Sequence, residues 1–258
     1  MPIIPYVVIY SLVFIFGACI GSFYNVIAMR VPIEESFSEG RSHCPKCKHE
    51  LSVRDLVPFF SYIFLKGKCR YCKEAISVRY PLIELFGGLS AVFCVYQLGF
   101  TLEALLAFYV ISVMTPLSLI DFAIQEIPDG FHIAMIPAII LSYFLFPEVT
   151  LTSRIIGFFV ISVPMVIIGE IAGGFGGGDV RMMAVAGAML GWKAILCAFL
   201  VGIFVALFYC IYIMATKKGG MQTAIAFGPY LAVGIVVAYF YSEPLITWYL
   251  NMFFYRAY

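Results

Sequence analysis

Two aspartates stand where long apolar runs meet turns, and both carry the side chain that acid–base catalysis uses. Asp179 follows the glycine run 176–178, and Asp121 ends an apolar run after Leu119 and Ile120. An acidic side chain at the centre of a membrane helix costs about 2.5–3.5 kcal/mol on insertion scales. A buried carboxylate in such a chain therefore needs a partner or a function. The residues alone leave open a second interpretation, in which each aspartate is solvated in a loop.

Paired carboxylates support one particular chemistry. Two carboxylates that come close together do not both ionise easily, so one of them keeps a proton. The ionised carboxylate can activate water, and the protonated one can polarise or protonate a peptide carbonyl. The glycines before Asp179 allow a sharp bend and let an extended substrate approach the backbone. We therefore predict that Asp121 and Asp179 form an acid–base pair that hydrolyses a peptide without an acyl-enzyme.

Nucleophilic hydrolysis is disfavoured because few histidines are present. Two of the three, His43 and His49, flank a cysteine pair, and His132 is the third. No serine or cysteine motif accompanies His132, and no His/Glu motif indicates a catalytic zinc ion. Asp129 lies nearby in a Pro-Asp-Gly segment, which is typical of a turn or of a helix N-cap. We expect Asp129 to have that structural role.

Four cysteines form two C-x-x-C pairs in the polar part of the chain. The pairs are Cys44 with Cys47 and Cys69 with Cys72, and 21 residues separate them. This spacing is typical of a structural zinc site, in which two turns supply four thiolates to one tetrahedral ion. A segment of about 50 residues has too small a core to be stable alone, which also favours a metal. Disulfides or redox-active thiols are the alternative, although a reducing cytoplasm argues against them.

The composition indicates a polytopic α-helical membrane protein. Of the 258 residues, 63% are hydrophobic and 12% are charged, whereas soluble domains usually carry about 25% charged residues. Several apolar runs are long enough to cross a bilayer. Ten of the sixteen Lys and Arg residues lie between positions 30 and 79, which places that polar segment in the cytoplasm by the positive-inside rule. The net charge of +1 gives no reason to expect nucleic-acid binding.

The apolar runs predict about eight membrane helices, which must position the two aspartates. They span roughly residues 6–29, 80–99, 102–120, 131–147, 153–172, 179–192, 194–214 and 222–241. With the N-terminus outside, the loops 30–79, 121–130, 173–178 and 215–221 fall in the cytoplasm. Asp121 and Asp179 then lie at the cytoplasmic ends of their helices, where they can meet. The helix 179–192 is short for a span, so it is tilted or does not cross fully.

The predicted organisation has three parts. These are a first transmembrane helix over 1–29, a cytoplasmic zinc-binding domain over 30–79 and a transmembrane catalytic domain over 80–258. Pro116, Pro137 and Pro164 are expected to kink their helices. Glycines in the later helices are expected to permit close helix packing: Gly157, Gly169, Gly187, Gly191, Gly202 and Gly234.

The set of motifs resembles the bacterial type IV prepilin leader peptidase family, whose full-length members are also N-methyltransferases. The resemblance covers nearly the whole chain. Besides the C-x-x-C pairs, its motifs are Gly21-Ser22-Phe23, Asn25-Val26, Arg30, Pro32, Asp55-Leu56-Val57-Pro58, Gly67-Lys68-Cys69, Arg79-Tyr80-Pro81, Glu84, Leu119-Ile120-Asp121, Ile127-Pro128-Asp129, Gly176-Gly177-Gly178-Asp179 and Phe227-Gly228-Pro229-Tyr230. Each motif is weak alone, but the ordered set is highly specific. The chain departs from the family at Val180-Arg181-Met182-Met183, where a lysine and paired leucines are usual.

The resemblance implies a GxGD-type intramembrane aspartyl endopeptidase of the bacterial inner membrane. Such enzymes cut the basic leader from prepilins and pseudopilins at the cytoplasmic face, after a glycine. Matching residue by residue gives Asp121 and Asp179 the catalytic roles. The resemblance also implies methylation of the new N-terminal residue with S-adenosylmethionine, an activity associated with the zinc-binding domain. Gly67 and Glu84 are its candidates for methyl transfer, and the lipid bilayer is the other implied partner.

Other classes of protein remain as alternatives. Intramembrane acids and helix-breaking residues also mark transporters and channels, although no inverted repeat relates the two halves of this sequence and both acids cluster at one face. A membrane scaffold would use the cysteine pairs but leave the glycine motif before Asp179 without a role. A presenilin-like general intramembrane protease is a closer rival, and it would cut within a helix.

Overall fold

The structure is a computed structural model that describes residues 3–38, 40–172, 174–216 and 225–253. These residues form α-helices joined by turns, and none of them belongs to an extended strand. The first four helices are α1 (Ile3–Arg30), α2 (Phe60–Phe64), α3 (Arg79–Leu98) and α4 (Leu102–Ile124). The others are α5 (Asp129–Ala134), α6 (Ile136–Leu145), α7 (Leu151–Val160), α8 (Ser162–Ala172), α9 (Gly177–Leu190), α10 (Trp192–Ala215) and α11 (Gly228–Phe253). The predicted all-helical architecture is confirmed.

Six segments of the described chain are long and apolar enough to cross a membrane. They are Ile4–Ile33, Arg79–Leu98, Leu102–Ile124, Leu151–Ile171, Trp192–Ala215 and Gly228–Phe253. The other two predicted spans are also helical, but Asp129–Leu145 is a shorter apolar segment and α9 has 14 residues. A polytopic membrane protein is therefore confirmed, whereas the count of eight crossings stays a prediction.

Prolines mark the places where two predicted helices divide. The segment predicted at 131–147 breaks at Met135, just before Pro137, and the segment at 153–172 breaks at Ile161, before Pro164. Proline removes a backbone donor and clashes with the preceding turn, so helices tend to restart at such positions. Pro116, by contrast, lies inside the undivided helix α4. The helix predicted at 222–241 is observed as α11, and residues 217–224 lie outside the described part of the chain.

The chain divides into two compact units, Met1–Phe108 and Tyr109–Tyr258. In the first unit, α1 and α3 pack closely through glycines for which the sequence analysis predicted no packing role. A Cβ atom on Gly17 would lie 2.4 Å from the carbonyl oxygen of Gly87, and one on Gly21 would lie 2.7 Å from that of Ile83. Glycines four residues apart on a membrane helix permit this approach of two backbones.

The second unit uses the glycines that the sequence did indicate. A Cβ atom on Gly187 would lie 2.0 Å from the carbonyl oxygen of Gly157, and one on Gly234 would lie 2.1 Å from that of Ala198. These contacts join α7 to α9 and α10 to α11. Close packing at these positions is confirmed, whereas a Cβ atom on Gly169 would meet only ordinary contacts.

Arg154 is buried in the second unit, with 4% of its surface exposed. The sequence places this arginine outside the membrane as an exception to the positive-inside rule. Its guanidinium donates hydrogen bonds to the ends of α6 and α9 and to the turn that follows α6: to the carbonyls of Ser142, Phe146, Val149, Ala188 and Met189 and to the Ser142 hydroxyl. The last carbonyls of a helix have no partner within it, and a cation there also complements the helix dipole. Arg154 therefore caps α6 and α9 together.

Arg154→Ala is expected to destabilise the second unit strongly, because several buried carbonyls lose their donors at once. The loss is on the order of 3 kcal/mol, which corresponds to a fall in melting temperature of about 6–12 °C for a chain of this size. Thermal unfolding in detergent micelles measures it. Lys193→Ala is the matched control, since Lys193 is an exposed cation that lies over the Trp192 ring. Equal melting temperatures for the two variants would contradict the capping role.

Candidate active site and metal centre

Asp121 lies on the buried face of α4. Leu106, Val110, Leu117 and Ile120 are each at most 1% exposed, and their helical spacing places Asp121, at 4%, on the same face. Its Oδ2 atom accepts a hydrogen bond of 2.9 Å from the backbone N–H of Gly228, at the start of α11. The interpretation of Asp121 as a solvated loop residue is therefore wrong.

Asp179 lies in the first turn of α9 and is 8% exposed. Its Oδ2 atom accepts a hydrogen bond of 3.3 Å from the N–H of Gly176, the N-cap residue of that helix. A carboxylate three residues after the N-cap often pairs in this way, which fixes the side chain at the helix start. The Oδ1 atom is buried and has no hydrogen-bond partner among the described residues. The Oδ1 atom is therefore the oxygen of this carboxylate that can still form a hydrogen bond with a ligand.

Ile127 connects the surroundings of the two aspartates. A Cβ atom on Gly178, next to Asp179, would lie 2.7 Å from the Cβ atom of Ile127. A Cβ atom on Gly228 would lie 3.2 Å from the Ile127 Cδ1 atom and 2.7 Å from the Asp121 Oδ2 atom. The predicted meeting of Asp121 and Asp179 in one site thus has a geometric basis.

A polar group made of His132, Asp129 and Arg181 lies beside this site. The Nε2 atom of His132 lies 3.1 Å from the carbonyl oxygen of Gly178, and its Nδ1 atom lies 3.8 Å from Asp129 Oδ1. Arg181 forms an ion pair with the same Asp129 oxygen. Asp129 was predicted to be a helix cap or a turn residue. The prediction of a cap is wrong, because Pro128 holds the N-cap position of α5 without a side-chain cap and Asp129 is the first residue of that helix. Asp129 instead connects the start of α5 to α9 through Arg181.

The four predicted cysteine ligands converge. Their sulfur atoms all lie within 4.8 Å of one another, and the Sγ atoms of Cys44 and Cys72 are 3.8 Å apart. A tetrahedral zinc ion with Zn–S bonds of about 2.3 Å requires sulfur separations of about 3.8 Å. Cys44 and Cys69 are buried, whereas Cys47 and Cys72 are exposed. This cluster could hold a metal ion, and its dimensions fit zinc.

The two cysteine turns repeat the same backbone hydrogen bonds. Cys44 N–H donates to the carbonyl of His49, and Cys69 N–H donates to that of Glu74. The carbonyls of Cys44 and Cys69 each accept from the N–H of a lysine four residues later. Both turns are thus shaped to present their thiolates in the same way. The flanking histidines do not join the cluster: the His49 ring packs on Tyr71, with 3.6 Å between ring centroids.

Asp55 attaches the preceding segment to the second cysteine turn. Its side chain is 3% exposed, and it accepts hydrogen bonds from Arg70 Nε at 2.6 Å and Tyr71 Oη at 3.1 Å. Ser52 donates to it from both its hydroxyl and its N–H. Burial alone would raise the pKa of Asp55, but these hydrogen bonds lower it to about 2. The stabilisation from this attachment is therefore fully present at any pH above the ordinary pKa of an aspartate. It is lost as the pH falls through the lowered pKa of about 2.

Gly67 and Glu84, the candidates for methyl transfer, both contact α2 or its flanking residues. Gly67 has φ +70°, and a Cβ atom there would lie 2.9 Å from the Tyr62 hydroxyl. The Oε2 atom of Glu84 accepts a hydrogen bond of 2.7 Å from the N–H of Phe59, and its Oε1 atom accepts one of 2.7 Å from the Ser22 hydroxyl. Each residue thus has a packing reason for its identity.

Sequence reasoning missed several parts of the site because they depend on distant contacts. The Phe-Gly-Pro-Tyr motif was noticed, but nothing in it predicts that Gly228 donates to Asp121, 107 residues away. The packing of Ile127 against Gly178 and Gly228 and the contact of His132 with Gly178 were missed for the same reason.

These features define a helical membrane protein that holds two carboxylates in one buried site. The bacterial peptidase A24 N-terminal domain matches residues 15–98, and the type IV leader peptidase family matches residues 106–211. The chain belongs to the type IV leader peptidase family.

Curated relatives agree with that assignment. A prepilin leader peptidase/N-methyltransferase of Bacillus subtilis is 30% identical over 243 residues, which cover 94% of this chain and 98% of that protein. One of Aeromonas salmonicida is 30% identical over 273 residues, covering 94% of each chain. One of Myxococcus xanthus is 35% identical over 194 residues, covering 71% of this chain and 56% of that protein. No solved structure matches the chain.

Proposed function

We propose that this protein is a membrane aspartyl endopeptidase that removes the basic leader from type IV prepilins and pseudopilins and then N-methylates the new N-terminal residue. The carrying observation is that Asp121 and Asp179 are both buried and that Ile127 packs against the glycines beside both of them, Gly228 and Gly178. Both aspartates belong to the segment that matches the leader peptidase family. Family membership and the names of the relatives support the two activities.

Asp121 and Asp179 act as the catalytic pair, sharing one proton. The ionised carboxylate takes a proton from water as the water oxygen attacks the scissile carbonyl carbon, and the protonated carboxylate gives its proton to the carbonyl oxygen. When the tetrahedral diol collapses, the C–N bond breaks, the leaving amine takes the proton from the protonated carboxyl group, and one diol hydroxyl gives its proton to the other carboxylate. The pair ends with one proton, as it began. The unpartnered Oδ1 atom of Asp179 is suited to contact the water or the diol.

The substrate approaches along the membrane. A prepilin leader is basic and the helix after it is apolar, so the helix enters the bilayer while the leader stays in the cytoplasm. The scissile bond then reaches the depth of Asp121 and Asp179 at the cytoplasmic face of the bacterial inner membrane. A glycine at the cleavage point leaves its carbonyl uncrowded for two carboxylates. This orientation requires the polar segment 30–79 to be cytoplasmic.

Zinc is the metal that we assign to the cysteine cluster. Four thiolates with tetrahedral spacing are the usual ligands of structural zinc, and the sulfur separations fit it. Cys44, Cys47, Cys69 and Cys72 would hold the ion and thereby join the two cysteine turns. The ion would supply structural stability there.

S-adenosylmethionine supplies the methyl group when it is bound. Gly67 and Glu84 remain the candidates for methyl transfer, and both contact residues at or next to α2. Their contacts with Tyr62 and Phe59 give them a positioning role, so a variant at either residue should affect methylation through the placement of α2.

Mass spectrometry of a prepilin incubated with the purified enzyme tests the proposal. Loss of the leader, plus the mass of a methyl group on the new N-terminus when S-adenosylmethionine is present, is the expected result. Leader loss without methylation would support the peptidase activity but not the methyltransferase activity. The cysteine domain would then have a structural or specificity role. No cleavage of any prepilin by folded enzyme would refute the proposal and favour a transporter or scaffold. Cleavage within the apolar helix would indicate a general intramembrane protease.

Gly228→Ala is expected to slow leader cleavage by about 10²-fold, because small displacements of catalytic groups have effects of this size. The added Cβ atom would lie 2.7 Å from Asp121 Oδ2 and displace the carboxylate. Gly130→Ala is the matched control, since a Cβ atom there would have no neighbour within 4 Å. Cleavage rates of purified prepilin compare the two. A Gly228→Ala enzyme as fast as the control would show that Asp121 tolerates displacement.

A further inference from the structure

Residues 56–65 form an apolar segment inside the otherwise polar stretch 30–79. The ten residues Leu-Val-Pro-Phe-Phe-Ser-Tyr-Ile-Phe-Leu include no charged side chain, and they contain α2. We call them the α2 segment. Several of its large apolar side chains are exposed rather than packed into a core: Leu56, Val57, Phe60, Ile63 and Phe64. Phe64 is 80% exposed, which is unusual for a phenylalanine in a water-exposed domain.

The α2 segment is attached to the membrane helices of the first unit by a partly buried hydrogen bond. Phe59, which begins α2 as its N-cap with φ +62°, donates its N–H to Glu84 Oε2 at 2.7 Å. Ser22 of α1 donates to the other oxygen of Glu84. The backbone of Glu84 also packs against Gly21, where an added Cβ atom would lie 3.0 Å from the Glu84 Cα atom. Glu84 thus joins the α2 segment to both α1 and α3.

This attachment lies well inside the span of the helices. The 28 residues of α1 extend about 42 Å at 1.5 Å per residue, compared with a hydrocarbon core about 30 Å thick. Gly21 precedes Arg30, the basic end of α1, by about 13 Å along the axis, and Glu84 follows Arg79 by about 7 Å. The α2 segment therefore meets α1 and α3 at the depth of the acyl chains rather than beyond their ends.

Phe60 reaches still further along α1. Its side chain lines one groove together with Tyr6, Val7, Tyr10, Phe14 and Ile15. Phe14 lies about 24 Å from Arg30 along the helix axis. Val7 at 58% and Leu12 at 62% are exposed on this stretch of α1, which is long and apolar enough to cross a membrane. The apolar surface of the α2 segment is therefore continuous with the exposed apolar surface of a candidate membrane helix.

We propose that the α2 segment is a re-entrant element that enters the bilayer beside α1 and exposes Ile63 and Phe64 to lipid acyl chains. Non-helical backbone at membrane depth requires hydrogen-bond partners from the protein, and Glu84 supplies one for Phe59. Arg54, Lys66 and Lys68 flank the segment and are exposed, as expected of cations that remain at the level of anionic headgroups. The segment 30–79 is then not wholly soluble. This inference does not depend on the proposed enzymatic function.

Tryptophan quenching by brominated phospholipids tests the insertion. Phe64→Trp is made in a chain whose two native tryptophans are replaced, Trp192→Phe and Trp248→Phe, and the protein is reconstituted in vesicles. We expect dibrominated acyl chains to reduce its fluorescence roughly twofold or more, because the bromine atoms lie inside the hydrocarbon core. Glu50→Trp in the same background is the control, since the Glu50 side chain lies on the first cysteine turn and is 64% exposed. Its fluorescence should respond to aqueous iodide instead.

Two results would overturn the proposal. Quenching of the Phe64→Trp chain by iodide with no response to brominated lipid would place the segment in water. Insensitivity to both quenchers would show that protein covers it, whether a second copy or a pilin. Glu84→Ala added to the Phe64→Trp chain should reduce the lipid quenching, because Phe59 N–H then lacks its acceptor. Metal content and leader cleavage of each reconstituted variant verify that the chain is folded.

Discussion

Asp179→Asn and Asp121→Asn are each expected to reduce leader cleavage by about 10⁴-fold or more, the upper range for loss of acid–base catalysis. Asparagine has nearly the same shape, and its amide oxygen can still accept from Gly176 or Gly228. It cannot exchange a proton with water or with the scissile carbonyl, so the geometry survives while the chemistry is lost. The rate of leader release from a purified prepilin measures the effect.

The double variant tests whether the two aspartates act as one catalytic pair or as two independent groups. Residues that act as one unit are strongly non-additive, so Asp121→Asn with Asp179→Asn should be about as slow as either single variant. Asp129→Asn is the matched control, because Asp129 has a side chain that is 72% exposed and pairs with Arg181. It should cleave at close to the unmodified rate. Methylation of a pilin that has already lost its leader should persist in all these variants, and full cleavage by either single variant would refute the assignment.

Cys69→Ser is expected to remove the metal and to reduce methyl transfer at least tenfold, while leaving cleavage largely intact. Metal binding to four thiolates contributes on the order of 10 kcal/mol to folding of a small domain. The described part of the segment 31–78 contains only short helices and two isolated β-bridges, at His43–Glu50 and Lys68–Ala75. These elements are too small to keep the segment folded without the metal. Losing one buried ligand should therefore disorder both cysteine turns.

Zinc content per chain and the methylation rate of a cleaved pilin are measured on the same preparation. Cys210→Ser is the control, because Cys210 lies in α10 outside the cluster. It should retain the metal and both activities. A Cys69→Ser enzyme that methylates normally without metal would separate the cysteine domain from methyl transfer. A parallel loss of cleavage would show instead that the domain supports the whole enzyme.

The helices of this protein were predictable because their signal is local. An apolar run predicts a membrane helix from its own residues, whatever the rest of the chain contains. The structure has a helix at each of the eight predicted positions. Asp121 was predicted to lie just beyond a helix over 102–120, whereas α4 continues to Ile124 and carries Asp121 on its buried face. The cysteine cluster was also predictable from a local signal, since two short turns with C-x-x-C spacing bring four sulfur atoms within 4.8 Å of one another.

The tertiary structure decided which polar groups are buried and what satisfies them. Arg154 was predicted at the outer end of the helix 153–172, as an exception to the positive-inside rule, yet it is buried because it caps two helices whose ends converge. Asp129 has the context of a cap, yet it pairs with Arg181, 52 residues away. Such partners are separated by long stretches of chain, so no local pattern encodes them.

The sequence by itself determined the class of the protein, the helices and the residues able to do chemistry. Only the tertiary structure decided that Gly228 donates to Asp121, that Ile127 packs against the glycines beside both aspartates, and that Glu84 holds the α2 segment against α1 and α3. The physical reason is the same in each case. Helix formation and thiolate spacing depend on neighbours in sequence, whereas a buried polar atom must be satisfied by whichever backbone the fold brings to it.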